Sequence, residues 1–136
     1  MSAHIATLGH ASVSMLFVAM AALQLNDPDP LLWVVVYLAI AVIAGARIFD
    51  LRLPAVFWVT VGMAAACLMI SLPGFLAYLV SGDLASVGGE MSPHKPYVEP
   101  AREFLGIVIG AISLFFYRNG HGLATSATSG RNPEPP

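Results

Sequence analysis

Residues 31–45 have the sequence LLWVVVYLAIAVIAG, which carries no charge and has no polar face. A helix on the surface of a water-soluble protein repeats polar side chains about every 3.6 residues. A buried β-strand can be apolar throughout, but this run is too long for one. A helix that is apolar on every side, and about 20 residues long, is typical of a membrane span. The stretch therefore predicts a transmembrane helix.

Three further segments are long and apolar enough to cross a bilayer. Together with the helix that contains residues 31–45, the predicted helices cover about residues 5–25, 31–49, 54–80 and 101–117. The pair Pro73–Gly74 predicts a kink in the third helix, or an end to its regular part near Leu72. The chain is 57% hydrophobic and 10% charged, whereas soluble domains are about 25% charged. We therefore predict an all-α membrane bundle of four transmembrane helices in residues 1–118, followed by a flexible tail in residues 119–136.

Arginines and lysines predict the orientation of the chain. Four crossings place both termini and the middle loop on one side of the membrane. That side carries Arg47, Arg52, Arg118 and Arg131, and the other side carries Lys95 and Arg102. Because short cytoplasmic loops are rich in these residues, the N- and C-termini are predicted to be cytoplasmic, and we expect a bacterial inner (plasma) membrane. The net charge of −2, without a basic cluster, argues against a nucleic acid partner.

The turn between the first two helices lies in the sequence QLNDPDPLLWVVVY, residues 24–37. A structural interpretation explains it well. Asn26 can adopt the left-handed conformation that ends a helix, Asp29 is a good N-cap, and Pro30 suits the first helical position. Trp33 and Tyr37 would then anchor the second helix at the membrane interface.

A functional interpretation of the same turn remains open. On the same membrane face, the sequence EPARE, residues 99–103, opens the fourth helix shortly after His94. The candidate polar cluster consists of Asn26, Asp27, Asp29, Glu99, Arg102 and Glu103. Its carboxylates suit a hard cation such as calcium, and a site that included His94 would suit a transition metal. No cofactor is required, however, because Arg102 could neutralise the acids as a structural latch between the fourth helix and the first hairpin.

Small residues recur four positions apart on three of the predicted helices, a spacing that allows close helix packing in lipid. The pairs are Gly106 with Gly110, Ala41 with Gly45, and Gly62 with Ala66. We expect these faces to pack within the bundle rather than against another protein. His10 is expected to have a polar packing role, and the lone Cys67 is expected to be a buried apolar residue. No charge lies well inside a span, which argues against a transporter, and no catalytic motif indicates an enzyme.

The two polar segments together resemble the transmembrane protein 220 family. Residues 24–37 look like its signature turn and second helix, and residues 99–109 resemble its second signature, at the start of the last helix. The likeness covers about residues 12–117. It implies a small four-helix membrane protein and supplies no substrate. The family signature has an acidic residue where this chain has Pro100, so one possible ligand is missing.

Three functions follow as expectations. The first is a non-enzymatic accessory or assembly subunit of a larger membrane complex, with lipid and other membrane subunits as its partners. The alternative is a metal-binding protein of the outer face, which would use Asp27, Asp29, Glu99 and Glu103 on a divalent ion, with His94 as an optional further ligand. A small-solute transporter is the least favoured.

Overall fold

The computed structural model describes residues 3–27, 29–89 and 94–118, which form helices and the turns between them. The four long helices are α1 (Ala3–Leu23), α2 (Pro30–Ile48), α3 (Pro54–Ser81) and α4 (Val98–Tyr117). Each is long and apolar enough to cross a membrane. The predicted tail, residues 119–136, lies outside the described residues.

The structure adds two short helices to the predicted set and begins the fourth long helix earlier. A short 3₁₀ helix, Gln24–Asn26, follows α1, and a second one, Leu84–Gly88, follows α3. α4 begins at Val98 rather than near residue 101, so Glu99 lies in its first turn. α3 ends at Ser81, in agreement with the predicted range of 54–80, and its helical structure continues through Pro73 rather than ending near Leu72. Neighbouring helices and local adjustments commonly allow proline inside membrane helices.

The bundle consists of two helical hairpins. α1 packs along α2, α3 packs along α4, and α2 also contacts α3 and α4. α2 is central because one of its faces is fully inside the protein, while its other face, including Leu31 and Val42, is exposed to the surroundings. The buried residues of α2 recur at helical spacing: Trp33, Val36, Tyr37, Ile40, Ala41, Ile43 and Ala44.

Two of the three predicted small-residue faces pack inside the bundle. Gly110 faces Ile40, whose Cδ1 atom would lie 2.8 Å from an added Cβ. Ala41 accepts a hydrogen bond of 2.9 Å from the Ser14 hydroxyl, and the same serine lies against Gly45. These contacts confirm the prediction of close helix packing for α2 and α4.

The third small-residue face does not pack inside. Gly62 and Ala66 are exposed, and a Cβ at Gly62 would meet nothing within 4 Å. The expectation of internal packing is therefore wrong for this pair, because the buried side of α3 is formed by Phe57, Thr60, Ala64 and Cys67, which lie on another face of the helix.

Polar side chains in α1, α3 and α4 form hydrogen bonds within the bundle. Thr60 and Ser71 donate hydrogen bonds of 2.7 and 2.8 Å to carbonyl oxygens four residues earlier in α3. His10 of α1 and Tyr117 of α4 share a hydrogen bond of 3.0 Å between Nδ1 and the phenolic oxygen. The packing role predicted for His10 is thus confirmed, and Cys67 is fully buried as expected.

Candidate functional site

The turn after α1 differs from the predicted cap. Asn26 lies in the 3₁₀ helix, and the Asp27 amide donates to the Gln24 carbonyl oxygen at 3.0 Å. Among the described non-glycine residues, positive φ occurs only at Asp50, so Asn26 does not end the helix in a left-handed conformation. Pro30 opens α2 as predicted, but Asp29 makes no side-chain cap hydrogen bond. The polar residues of this turn therefore lack the capping bonds that a purely structural interpretation requires.

Trp33 and Tyr37 are not lipid-facing anchors. Their exposed fractions are 2% and 0%, and both belong to the hydrophobic core. The correction follows from helical periodicity, because they occupy the same face of α2 as Ile40 and Ala44. The Tyr37 hydroxyl lies so close to Gly106 that a side chain there would overlap it.

Three carboxylates meet between the turn and the start of α4. Asp27, Glu99 and Glu103 each place a carboxylate oxygen within 4.8 Å of the other two. Glu99 and Glu103 are four residues apart and therefore share one face of α4. Glu103 is only 8% exposed, whereas Asp27 and Glu99 are partly buried. The predicted juxtaposition of the two polar segments is therefore present in the fold.

The carboxylates line a cleft with a volume of about 380 Å³. Its remaining walls are Met20, Leu23, Gln24, Asn26, Tyr37 and Arg102. The side-chain oxygen of Gln24, Oε1, is buried and has no hydrogen-bond partner among the described residues. Gln24 lines the same cleft as the three carboxylates, and its neutral oxygen, which has no donor among the described residues, adds to the acceptor-rich character of the cleft.

Two of the five predicted metal ligands, Asp29 and His94, lie outside the triad of carboxylates. Asp29 is exposed and does not line the cleft, and His94 is also exposed and contributes no atom to the triad. Desolvation raises the pKa of Asp27, Arg102 acts in the opposite direction, and the charge of Asp29 raises it further. Asp29 therefore acts on the triad from a distance.

Arg102 lines the cleft, but it does not form the predicted latch. Over the described ranges, the ion pair within 4.0 Å is that of Lys95 with Asp83, at 2.5 Å. This hydrogen bond raises the pKa of Lys95 and connects the segment that follows α3 to the segment that precedes α4. Arg102 is the basic residue among those that line the cleft, where one positive charge accompanies three carboxylates.

Gln24 and Tyr37 are the polar residues of the cleft that the sequence did not single out for this site. Gln24 lies three residues before Asp27, within one turn of the same helical segment, and this spacing is the signal that could have indicated it. The helical spacing of the α2 core residues would have indicated that Tyr37 is buried only if the two faces of α2 had differed in polarity. They do not differ, so the sequence contains no signal for Tyr37.

Together, the four spans and the polar cleft at one end define a multi-pass helical membrane protein. The family model described as "Transmembrane family 220, helix" matches residues 16–119, so the chain belongs to that family, as the two signature segments indicated. No curated protein and no solved structure gives a match.

Proposed function

We propose that this protein binds a hard divalent cation, of the calcium type, in the cleft lined by Asp27, Glu99 and Glu103. The observation that supports the proposal is the approach of the three carboxylates within 4.8 Å of one another, with one guanidinium in the cleft wall. Like charges at this distance repel strongly where water is partly excluded, and a bound cation removes that repulsion.

The donor atoms favour calcium over softer metals. The triad offers carboxylate oxygens, and Gln24 adds an amide oxygen without a hydrogen-bond partner. Calcium takes six to eight oxygen ligands in irregular geometry, with waters completing the shell. His94 supplies no atom to the triad, so the transition-metal form of the site loses its expected nitrogen ligand. In this proposal the protein is a binding protein rather than an enzyme.

Calcium binding can be measured directly by calorimetric titration of the protein in detergent, after treatment with a chelator. We expect one calcium ion per chain, with binding abolished in Glu103→Gln and strongly weakened in Asp27→Asn. The matched controls are Asp83→Asn, a carboxylate already paired with Lys95, and Asp50→Asn, an exposed carboxylate in the loop after α2. Absence of binding at millimolar calcium, or equal binding by all four variants, would contradict the proposal.

We also propose a second role, as an accessory or assembly subunit of a membrane complex in the bacterial inner membrane. The observation that favours it is the outward position of Gly62 and Ala66 on α3, since small residues allow a second helix to approach closely in lipid.

This role is tested by purification from native membranes in a gentle detergent. We expect one defined membrane protein to co-purify with the wild-type chain and to be lost with Gly62→Leu. Ala22→Leu is the control, because Ala22 is also an exposed small residue but lies on α1. A strictly monomeric wild-type particle, or equal loss with both variants, would count against the subunit role.

A further inference from the structure

A second, larger groove lies at the opposite end of the bundle from the carboxylate cleft. Its volume is about 600 Å³, and it runs between α1 and α4, with residues of the loop between α2 and α3 at its end. Ile5, Val13 and Phe116 supply apolar surface along it, and Arg47 and Arg52 supply positive charge. A groove that is apolar along its length and basic at one end matches an amphiphile with an anionic head.

One hydrogen-bonded pair of polar side chains lines the groove. The hydrogen bond between His10 and Tyr117 connects α1 to α4, and both residues line the groove. At Gly9 the surface of α1 is open, with nothing within 4 Å of an added Cβ. The hydrogen bond thus holds α1 against α4 at His10 and Tyr117, and accessible space lies next to this contact at Gly9.

The two arginines lack a carboxylate partner in the described part of the chain. Neither forms an ion pair within 4.0 Å there, and the lining of the groove contains no acidic residue. Arg47 is partly buried in the last turn of α2, and Arg52 is exposed in the following loop. A guanidinium binds phosphate through paired hydrogen bonds, and basic pockets between membrane helices bind anionic lipid head groups.

A neighbouring groove between α3 and α4 provides a contrast. It has a volume of about 320 Å³, and its basic residue is Arg118. The guanidinium of Arg118 lies over the Phe115 ring, 4.0 Å from the ring centroid. It is one cation, already engaged with an aromatic face, so this groove lacks the paired arginines of the larger one.

We propose that the groove between α1 and α4 binds one anionic phospholipid, whose phosphate contacts Arg47 and Arg52 and whose acyl chain lies along Ile5, Val13 and Phe116. The negative charge of the head group determines the preference over a neutral lipid, and the apolar length of the groove favours a lipid over a free phosphorylated solute. The site is separate from the carboxylate cleft and does not depend on cation binding there.

Native mass spectrometry of the full chain in a mild detergent tests this, with a chelator present to remove calcium bridges. The probes are phosphatidylglycerol and phosphatidylcholine with identical acyl chains. We expect one phosphatidylglycerol per chain, bound at least about tenfold more tightly than phosphatidylcholine. The double variant R47Q/R52Q should lose about 30-fold in affinity, since each arginine contributes about fivefold. R118Q is the control and should bind as the wild type does.

Other occupants would give different results. Equal retention of the two lipids by the wild-type chain would overturn the proposal. This comparison needs no variant, so its result does not depend on whether a variant folds. Displacement of lipid by millimolar glycerol phosphate or inorganic phosphate would assign the arginines to a soluble anion. Lipid binding that appears only after deletion of residues 119–136 would assign the groove to the chain's own tail. Equal binding by R47Q/R52Q and the wild type would place the lipid elsewhere.

Discussion

Replacing Gly106 with alanine is expected to lower the free energy of unfolding by about 2 kcal/mol, because it overfills a packed interior. An added Cβ would overlap the Tyr37 hydroxyl and would lie 3.0 Å from the Met20 methyl carbon. Tyr37 is fully buried and cannot move without disturbing the α2 core. Gly106→Leu should cost still more. Denaturant titration of the protein in detergent, followed by circular dichroism, measures both changes.

The matched control is the same substitution at Gly62. Nothing lies within 4 Å of a Cβ there, so Gly62→Ala should change the free energy of unfolding by less than about 0.5 kcal/mol. Both glycines lie within membrane spans, so general effects of alanine on helix formation apply to both and cancel in the comparison. Equal effects at the two positions would mean that α4 does not pack on α2 as described.

The number and approximate placement of the helices could be predicted from the sequence because each span is continuously apolar. The inward faces could not be assigned, since a membrane helix is apolar on both its protein and its lipid side. Trp33 and Tyr37 were therefore assigned to the lipid interface, although they lie in the core. The predicted internal packing of Gly62 and Ala66 was wrong for the same reason. Their spacing equals that of Gly106 and Gly110, but Gly62 has no neighbour within 4 Å of an added Cβ.

The cleft was predicted in part, because topology alone places the first turn and the start of the fourth helix on the same membrane face. That argument brings together Asp27, Glu99 and Glu103, as the fold does. It cannot say which of several nearby polar groups point inward. Asp29 and His94 were included although they are exposed, and Arg102 was assigned a direct ion pair that does not form within the described ranges.

Glu103→Gln is expected to change stability in opposite directions with and without calcium. Without the ion, removing one of three clustered negative charges relieves repulsion and should stabilise the fold by about 1 kcal/mol at pH 8. With calcium at about 100 times its dissociation constant, the wild type gains about 2.7 kcal/mol through binding to the folded state. The variant should lose that gain, because Glu103 is the most buried of the three carboxylates and its replacement is expected to abolish binding. Asp50→Asn should match the wild type in both conditions.

The central claim is that three carboxylates from the first turn and the fourth helix form one cation site. Its most direct test is the free energy of unfolding of the wild type and Glu103→Gln, each measured in chelator and in saturating calcium. The account predicts that the variant is the more stable protein in chelator and the less stable one in calcium. A variant that is less stable by the same amount in both conditions would contradict it, because Glu103 would then stabilise the fold without binding an ion.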